Sequence, residues 1–447
     1  MRVAFHNLGC KVNYYESEAM KQMLSKAGYT IVGESEEADI CIINTCSVTN
    51  IADRKSRQML HKYKRLHPSA IVIAAGCYVQ AAGEELLKDE SVDIIVGNDR
   101  KKQIVEIIEE YQKSNADNVY LYDLTKSREY EELTLDTEND RTRAYIKIQD
   151  GCNQFCSYCI IPYTRGRIRS RNKEDILSEA KRLGKSGIKE IVLTGIHVSS
   201  YGMEKKEEAG DYLLGGSKSY LADIIEAVAE IPEIKRIRLS SLEPRIITEE
   251  FAERLSKIEK LCPHFHLSLQ SGCDSVLKRM NRHYTTAEYE EGASILRKYF
   301  DDPALTTDVI VGFPGETAEE FEETVHYLEK IKLFRMHIFK FSRRKGTVAD
   351  RMSGQLTESI KEERSNVLLA LNEKLEAEYR KASAGRMAEV LFETKEKIGE
   401  KEYYVGYTKE YIRAAVPAED EAGLCGNIVR VRLIEDLEGE IMLATEC

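Results

Sequence analysis

Apolar and polar positions run along this chain in changing rhythms, and the changes divide it into blocks. Up to about Glu132, short apolar runs ("VAFHNL", "ADICIIN", "AIVIAAG" and "VDIIVG") are separated by charged stretches such as residues 16–27. Short unbroken apolar runs are the pattern of strands buried on both faces. Their alternation with helical stretches predicts a parallel sheet covered by helices. The acidic, poorly periodic segment "EYEELTLDTENDR" then reads as a linker. From Ala144 the alternation resumes in six units: "AYIKIQ", "EIVLTGIH", "RIRLSSLEP", "FHLSLQSG", "TTDVIVGFPGE" and "LFRMHIFKFS". Repeated βα units of this kind predict a barrel, closed or partial. A charged helical stretch over 358–381 leads into "MAEVLFET", "YYVGYTKEYIRAAV", "GNIVRVRLI" and "EIMLAT", whose patterning predicts a small β-barrel. The expected architecture is α/β, with a parallel α/β sheet unit over 1–132, a partial (β/α)6 barrel over 138–375 and a small β-barrel over 378–447.

Composition narrows the class. A chain of 447 residues is long enough for two or three cores. It contains no run of the ~18 apolar residues that a membrane span needs, and "MRVAFHNLGC" carries no apolar leader, so a cytoplasmic address is expected. Eleven cysteines, an odd number, then argue against a disulfide framework and for reduced thiols, some of them metal ligands. A net charge of -11 excludes a surface coated in nucleic-acid-binding charge and leaves local basic clusters to be sought singly. No pattern in the chain specifies an oligomeric state.

Chemistry concentrates on the cysteines. Cys10, Cys46 and Cys77 each follow an expected strand by a few residues, in "VAFHNLGC", "ICIINTC" and "IVIAAGC". In a parallel sheet the carboxyl ends of the strands share one edge, where ligands bind, so the three should converge there. Cys41, inside "DICIIN", reads as a core thiol. In "GCNQFCSYC", Cys152, Cys156 and Cys159 follow the first barrel strand. Their spacing suits three thiolates on one 4Fe-4S cluster with the fourth iron left for a ligand. Zinc held by three protein ligands is the alternative.

The same residues carry a resemblance. "GCNQFCSYC" resembles the signature of radical S-adenosylmethionine enzymes, and "YIKIQDGCNQFCSYCIIPYTRGRIRS" resembles that of their methylthiotransferase branch. "NTC" at Asn44, "GC" at Gly76, "SSLEP" at Ser240, "HLSLQSG" at His266 and "DVIVGFPGET" at Asp308 extend the match in order over nearly the whole chain. "LGCKVNYYESEA" is most similar to members acting on N6-threonylcarbamoyladenosine beside the tRNA anticodon. Sister branches act on isopentenyladenosine in tRNA or on a ribosomal-protein aspartate. An iron-sulfur electron carrier or binding protein is the alternative of a different class, and the barrel and glycine-rich loop argue against it. The resemblance implies two 4Fe-4S clusters and S-adenosylmethionine. The cluster on Cys152, Cys156 and Cys159 would generate a 5'-deoxyadenosyl radical that abstracts hydrogen from C2 of the adenine. The cluster on Cys10, Cys46 and Cys77 would carry the sulfur that, once methylated, is placed there. A flavodoxin- or ferredoxin-type electron donor is the expected partner.

Further residues are candidates. Gly195, Glu243, Gln270 and Asp308 lie at successive expected strand ends, and Gly312, Phe313 and Gly315 resemble the family's adenine-side loop; together they form the expected S-adenosylmethionine pocket. For the tRNA anticodon stem-loop the basic candidates are Arg165, Arg167, Arg169, Arg279, Arg282, Arg343 and Arg344, with Lys278 and Lys345 beside them. The run 54–67 contains no acid and reads as a solvated helix face. In the C-terminal block, which resembles the family's TRAM domain, Lys395, Lys397, Lys401, Tyr403, Tyr404 and Arg413 are the RNA candidates, with the tyrosines equally suited to its core. His264 and His266 alternate along one strand and can both face a barrel centre. Cys262, Cys273, Cys425 and Cys447 show no partner spacing.

Overall fold

The protein is described from a computed structural model over residues 1–114, 118–124, 127, 129–137, 142–204, 219–418 and 423–446. Cys447 and the acidic residues 419–421 lie outside the described residues.

The N-terminal sheet has six parallel strands: β1 (Arg2–Asn7), β2 (Thr30–Val32), β3 (Ile40–Thr45), β4 (Ile71–Gly76), β5 (Ile94–Val96) and β6 (Val119–Tyr120). Their order is β2-β1-β3-β4-β5-β6. Every residue of β3 is buried, as unbroken "ICIINT" predicts for a strand covered on both faces. The strand order reverses between β1 and β3. That is the place where the connections leave a crevice beyond the carboxyl ends, and Cys10 and Cys46 follow those two strands.

Six parallel strands follow: β7 (Arg143–Asp150), β9 (Glu190–Gly195), β10 (Arg236–Leu239), β11 (His264–His266), β12 (Ala304–Val311) and β13 (Arg335–Lys340), with β8 (Arg169–Ser170) antiparallel on the edge of β7. They form two sheets, β10-β9-β7-β8 and β11-β12-β13, joined by the bridges Ile237↔Leu261 and Leu242↔Leu267. The result is a partial barrel. The expected fourth strand keeps only three residues. Beyond His266 the backbone still pairs with β12, at the Leu267 N–H on the Thr306 carbonyl (2.8 Å) and the bridge Gln270↔Val309, but between them the Thr307 hydroxyl takes the Leu267 carbonyl (2.5 Å) and the Leu269 N–H (2.9 Å), and Gln270 turns to φ +75°.

The C-terminal strands β14 (Met387–Ile398), β15 (Lys401–Tyr407), β16 (Arg413–Pro417), β17 (Ile428–Glu438) and β18 (Ile441–Glu446) close into a barrel in the order β14-β15-β16-β18-β17. Its core (Val390, Phe392, Val416, Val431, Met442) continues into Ala304 and Phe334 of the larger barrel. The two barrels therefore share apolar packing. Helix Glu358–Ser383, capped by Thr357 on the Ile360 N–H, packs along β13 between them.

The segment expected to be a linker is a packed strap. Leu133 and Leu135 are buried in the barrel's core cluster. The Leu133 carbonyl accepts from Tyr15 Oη (2.6 Å), and Tyr130 Oη donates to the Lys147 carbonyl (2.8 Å). Leu133 and Leu135 alternate with exposed Glu132 and Thr134 in a stretch rich in acids, which hid a half-buried extended chain behind a high charge density. Residues 138–141 of the same stretch lie outside the described ones. Among the described residues no helix is long and apolar enough to cross a membrane.

Candidate active site

Cys10, Cys46 and Cys77 come together from three strand ends. Cys10 is the residue before helix Lys11–Lys26, Cys46 follows β3 and Cys77 opens helix Cys77–Ala82. Gly9 sits at φ +107°, and a Cβ there would stand 3.0 Å from Cys46 Sγ, so glycine lets the Cys10 turn close onto Cys46. Burial, and then the neighbouring Cys77 and Cys10, push the Cys46 thiol up to about 11. The second triad is local. Gly151, at φ +72°, has no room for a side chain, since a Cβ would lie 1.8 Å from the Arg167 carbonyl oxygen. The turn it permits carries Cys152, Cys156 and Cys159. Burial and then Cys156 push Cys152 up to about 12, and burial followed by both neighbours raises Cys159 further. Three such thiols cannot all ionise side by side without positive charge among them.

Each triad has one arginine aimed at one sulfur. Arg165 Nε donates to Cys77 Sγ (3.3 Å), and Arg282 Nη1 donates to Cys156 Sγ (3.2 Å). Arg165 is fully buried and belongs to an ionic network that joins the N-terminal unit to the barrel. It pairs with Glu16 (2.8 Å) and Asp150 (3.2 Å), while Lys147 pairs with both carboxylates (2.8 and 2.6 Å). Lys101 also pairs with Glu16, and Arg169 approaches Asp150 at 3.8 Å. Four cations thus face two carboxylates out of water, with Glu131 nearby held up at about 7 by burial.

Around the barrel triad the polar groups are buried and incompletely paired. Glu243 is bonded by Arg245 Nε through Oε1 (2.7 Å), while its Oε2 has no partner. His197 meets Ser200 through Nδ1 (2.6 Å), its Nε2 is buried without a partner, and burial, with Arg282 and Arg245 behind it, holds its pKa at about 3. Both lie within electrostatic reach of Arg282, and Glu243 also within reach of Cys152. Unpaired buried acceptors at such a place are what a polar ligand satisfies. His197 was absent from the sequence-based set. Its signal was its place two residues beyond Gly195.

A cavity of about 750 Å³ lies between the units. Its lining includes Cys10 and Lys11 from the N-terminal unit, Gly195, His266 and Asp308 from the partial barrel, and Tyr411 from the small barrel. Ile161, two residues beyond Cys159, is also on its wall. His264 and His266 both face it, as alternate positions of one strand can. The ligand atoms of His266, Asp308 and His337 lie within 4.8 Å of one another, a spacing that suits a small cation. Gln270 sits beside Asp308, donating its N–H to the Asp308 carbonyl (2.9 Å). The Gly312–Gly315 loop behaves otherwise. The Gly312 and Phe313 N–H groups are taken by the Glu316 carboxylate (2.9 and 3.1 Å), Gly315 N–H bonds the Gly354 carbonyl (2.8 Å), and the buried Phe313 ring packs edge-on to Tyr158. Those backbone donors face protein, and the contact of the Phe313 ring with Tyr158 carries the loop toward the barrel triad.

Most of the arginines expected on RNA are committed elsewhere. Arg165 and Arg169 are buried in the ionic network, and Arg344 is buried against Asp53 and Ser47 (2.7 Å to Ser47 Oγ), where it docks the barrel on the N-terminal unit. Arg282 serves Cys156, and Arg279 is held by Glu320 (2.6 Å). Arg167 and Arg343 are exposed, Arg167 over the Phe155 ring and Arg343 paired with Asp350 (2.7 Å). The reason is common to the buried ones: a βα loop at a domain junction needs counter-charges for buried carboxylates, and basic runs in sequence do not reveal which face they meet. In the small barrel Tyr403 is core, and Lys395 and Arg413 pair with Glu402 and Glu396. Arg54, Lys55, Arg57, Lys62 and Arg65 are exposed on helix Asn50–Leu66. Cys41, Cys262 and Cys273 are buried and Cys425 is exposed.

Comparison with known proteins agrees with this arrangement. The Radical SAM superfamily model matches residues 146–328, and the model of uncharacterized protein family UPF0004 matches residues 2–97. The chain is 41% identical over 434 residues to the threonylcarbamoyladenosine tRNA methylthiotransferase MtaB of Bacillus subtilis, covering 97% of this chain and 94% of that protein. It is 38% identical to the MtaB of Aquifex aeolicus (86% and 91% covered) and 35% identical to the tRNA-2-methylthio-N(6)-dimethylallyladenosine synthase of Syntrophus aciditrophicus (88% and 83%). In fold it is similar to the radical S-adenosylmethionine methyltransferase TsrM of Kitasatospora setae, with a TM-score of 0.55, 13% identity and 76% and 72% of the two chains covered. With two thiol triads on one fold and relatives of this closeness along nearly its whole length, the chain belongs to the radical S-adenosylmethionine tRNA methylthiotransferases.

Proposed function

We propose that this enzyme inserts a methylthio group at C2 of N6-threonylcarbamoyladenosine at position 37 of tRNA. The observation that carries the reading is the shared cavity: Cys10 of one triad and the wall just beyond Cys159 of the other open onto the same space. A base lodged there would stand between the two sulfur sets. The 41% identity to a protein named for this substrate supports the choice of base.

The residues present fit the groups that the family uses. Each triad offers three thiols, burial raises Cys46 in one and Cys152 and Cys159 in the other, so that bound iron would have to draw out their protons, and each has an arginine already donating to sulfur. Cys152, Cys156 and Cys159 would hold the cluster facing S-adenosylmethionine, and Cys10, Cys46 and Cys77 the second. When bound, these groups supply radical hydrogen abstraction and sulfur transfer. The chain's own part is to bind, orient and exclude water. Glu243 Oε2 and His197 Nε2, both unpaired, are suited to the polar groups of S-adenosylmethionine, with Gly195 and Asp308 on the cavity wall and Gln270 bonded to Asp308. At about 3, His197 stays neutral at physiological pH and can accept a hydrogen bond at Nε2. The buried ionic network holds Glu16, Asp150 and Arg165 in one arrangement, so that the N-terminal triad stays over the barrel mouth.

Residues 1–132 would carry the sulfur-donating cluster, 138–375 the radical chemistry and 378–447 part of the grip on the anticodon stem-loop. Arg167, Lys278, Lys345, Arg54, Lys55, Lys397 and Lys401, all exposed, are the cations left for its phosphates. A cytoplasmic location and a flavodoxin- or ferredoxin-type donor complete the reading. Mass spectrometry of nucleosides after anaerobic incubation with S-adenosylmethionine, reductant and tRNA bearing threonylcarbamoyladenosine tests it. Appearance of the 2-methylthio nucleoside supports the assignment. Formation of 5'-deoxyadenosine with that tRNA unmodified overturns the substrate and leaves the reaction class standing.

A further inference from the structure

A chain with a net charge of -11 carries a cavity whose charged lining is mostly basic. Lys11, Arg238 and Arg335 face it with His264, His266 and His337, against the single carboxylate of Asp308. The two arginines are already spoken for. Arg238 pairs with Glu190 (3.0 Å) and bonds the Thr408 and Lys409 carbonyls, and Arg335 pairs with Glu376 (2.9 Å) and Glu440 (2.5 Å). His266 meets Asp308 (3.3 Å) and Thr306 (3.0 Å). Lys11 differs. Its side chain is exposed on the cavity and, among the described residues, has neither a hydrogen bond nor an ion pair. A second group in the same wall is also unsatisfied: His264, 9% exposed, has a buried Nδ1 without a partner and lies within electrostatic reach of Lys11. An ammonium and an imidazole nitrogen left unpaired on one enclosed surface call for an anionic, hydrogen-bonding ligand.

Resting on the function proposed above, we infer that Lys11 and His264 read the threonyl group of the substrate base, with the Lys11 ammonium on its carboxylate. Threonylcarbamoyl is the one feature of that base that brings a negative charge. A dimethylallyl base brings none, and it would leave Lys11 unpaired beside Arg238, a penalty that discriminates against it. The position also sets geometry, because Lys11 directly follows Cys10 and a carboxylate held there stands next to the N-terminal triad. Three sources of anion are distinguishable: the threonyl carboxylate, the carboxylate of S-adenosylmethionine and a tRNA phosphate.

The test is anaerobic fluorescence anisotropy of the reconstituted full-length enzyme with four anticodon stem-loops, bearing threonylcarbamoyladenosine, its methyl ester, plain adenosine or dimethylallyladenosine at position 37. Binding of S-adenosylmethionine is measured by equilibrium dialysis on the same samples. Wild type should prefer the free acid over the ester and plain adenosine. Lys11→Met, with unchanged iron content, should lose roughly ten- to a hundredfold for the free acid alone, and Lys11→Arg should keep most of the preference. An undiminished preference in Lys11→Met overturns the inference. So does an equal loss for all four stem-loops, which would assign Lys11 to a phosphate, or a loss confined to S-adenosylmethionine. Failure of wild type to modify the threonylcarbamoyl base at all would bring down the proposed function itself. Modification by wild type with an undiminished Lys11→Met preference brings down only this inference.

Discussion

The two cysteine triads are assembled by opposite routes. Cys152, Cys156 and Cys159 sit within one turn after β7, so their grouping follows from local geometry. Cys10, Cys46 and Cys77 come from three strands and meet only because the sheet order reverses between β1 and β3. Each triad receives an arginine on one sulfur, but Arg282 reaches Cys156 from within the same barrel, whereas Arg165 crosses from the barrel to Cys77 in the N-terminal unit. The local triad is therefore a property of its loop, and the dispersed one a property of an interface. Disturbing the interface should cost the second and spare the first.

If the proposed assignment holds, the largest effects come from the six cysteines themselves. Cys156→Ala and Cys46→Ala should each lose about half of the iron and sulfide and all methylthiolation. Only Cys46→Ala should still form 5'-deoxyadenosine from S-adenosylmethionine, and a Cys46→Ala protein without it would mean that the two sites are not separable. Next is the interface. Arg165→Leu removes the buried guanidinium that bonds Glu16, Asp150, Asn13 and Cys77 together and leaves those buried acceptors short of a donor, at a cost of about 3–5 kcal/mol. Thermal unfolding should shift down and the N-terminal iron should be lost first, while Arg282→Leu leaves the melting temperature close to wild type and alters the barrel cluster's spectrum. Equal melting losses in the two variants would erase the contrast.

Titration should separate the regions by sign. Burial raises Glu131, beside the interface network, to about 7 from an unfolded value near 4.5, so the folded state holds a proton that the unfolded state has lost. Its contribution to stability falls as pH rises from about 4.5 to 7, by about 3 kcal/mol, and Glu131→Gln should flatten that slope in denaturant unfolding. His197, held at about 3, acts the other way: the unfolded chain takes up a proton below about 6.5 that the folded one refuses, so stability drops as pH falls from there toward 3. His197→Asn should remove this opposite trend. A Glu131→Gln protein that keeps the wild-type slope would place the titrating group elsewhere.

How far the chain could be read from its letters varies with the range of the interaction. Strand ends and the barrel triad were legible because spacing and apolar runs are local. The strap over 129–137 looked like a linker because its buried Leu133 and Leu135 are flanked by acids that meet their partners only in the fold. Arginines at 165, 169, 282 and 344 looked like an RNA surface, since a basic run says nothing of which carboxylate or sulfur each guanidinium will find. Lys11 stood in a quoted motif unnoticed, because its unpaired state exists only once the cavity has closed around it.

By itself, then, the sequence determined the three kinds of folded unit and the thiols at strand ends, which rest on periodicity and on neighbours a few residues apart, while the class of chemistry was legible through motifs that resemble a family's. Tertiary structure decided which charges are buried, which arginine serves which sulfur, and that Cys10 and Lys11 face one cavity with His264. Those outcomes depend on desolvation and on contacts between residues over a hundred positions apart, such as Arg165 with Glu16 at a separation of 149. A pairing of that range is fixed by packing, and no spacing along the chain encodes it.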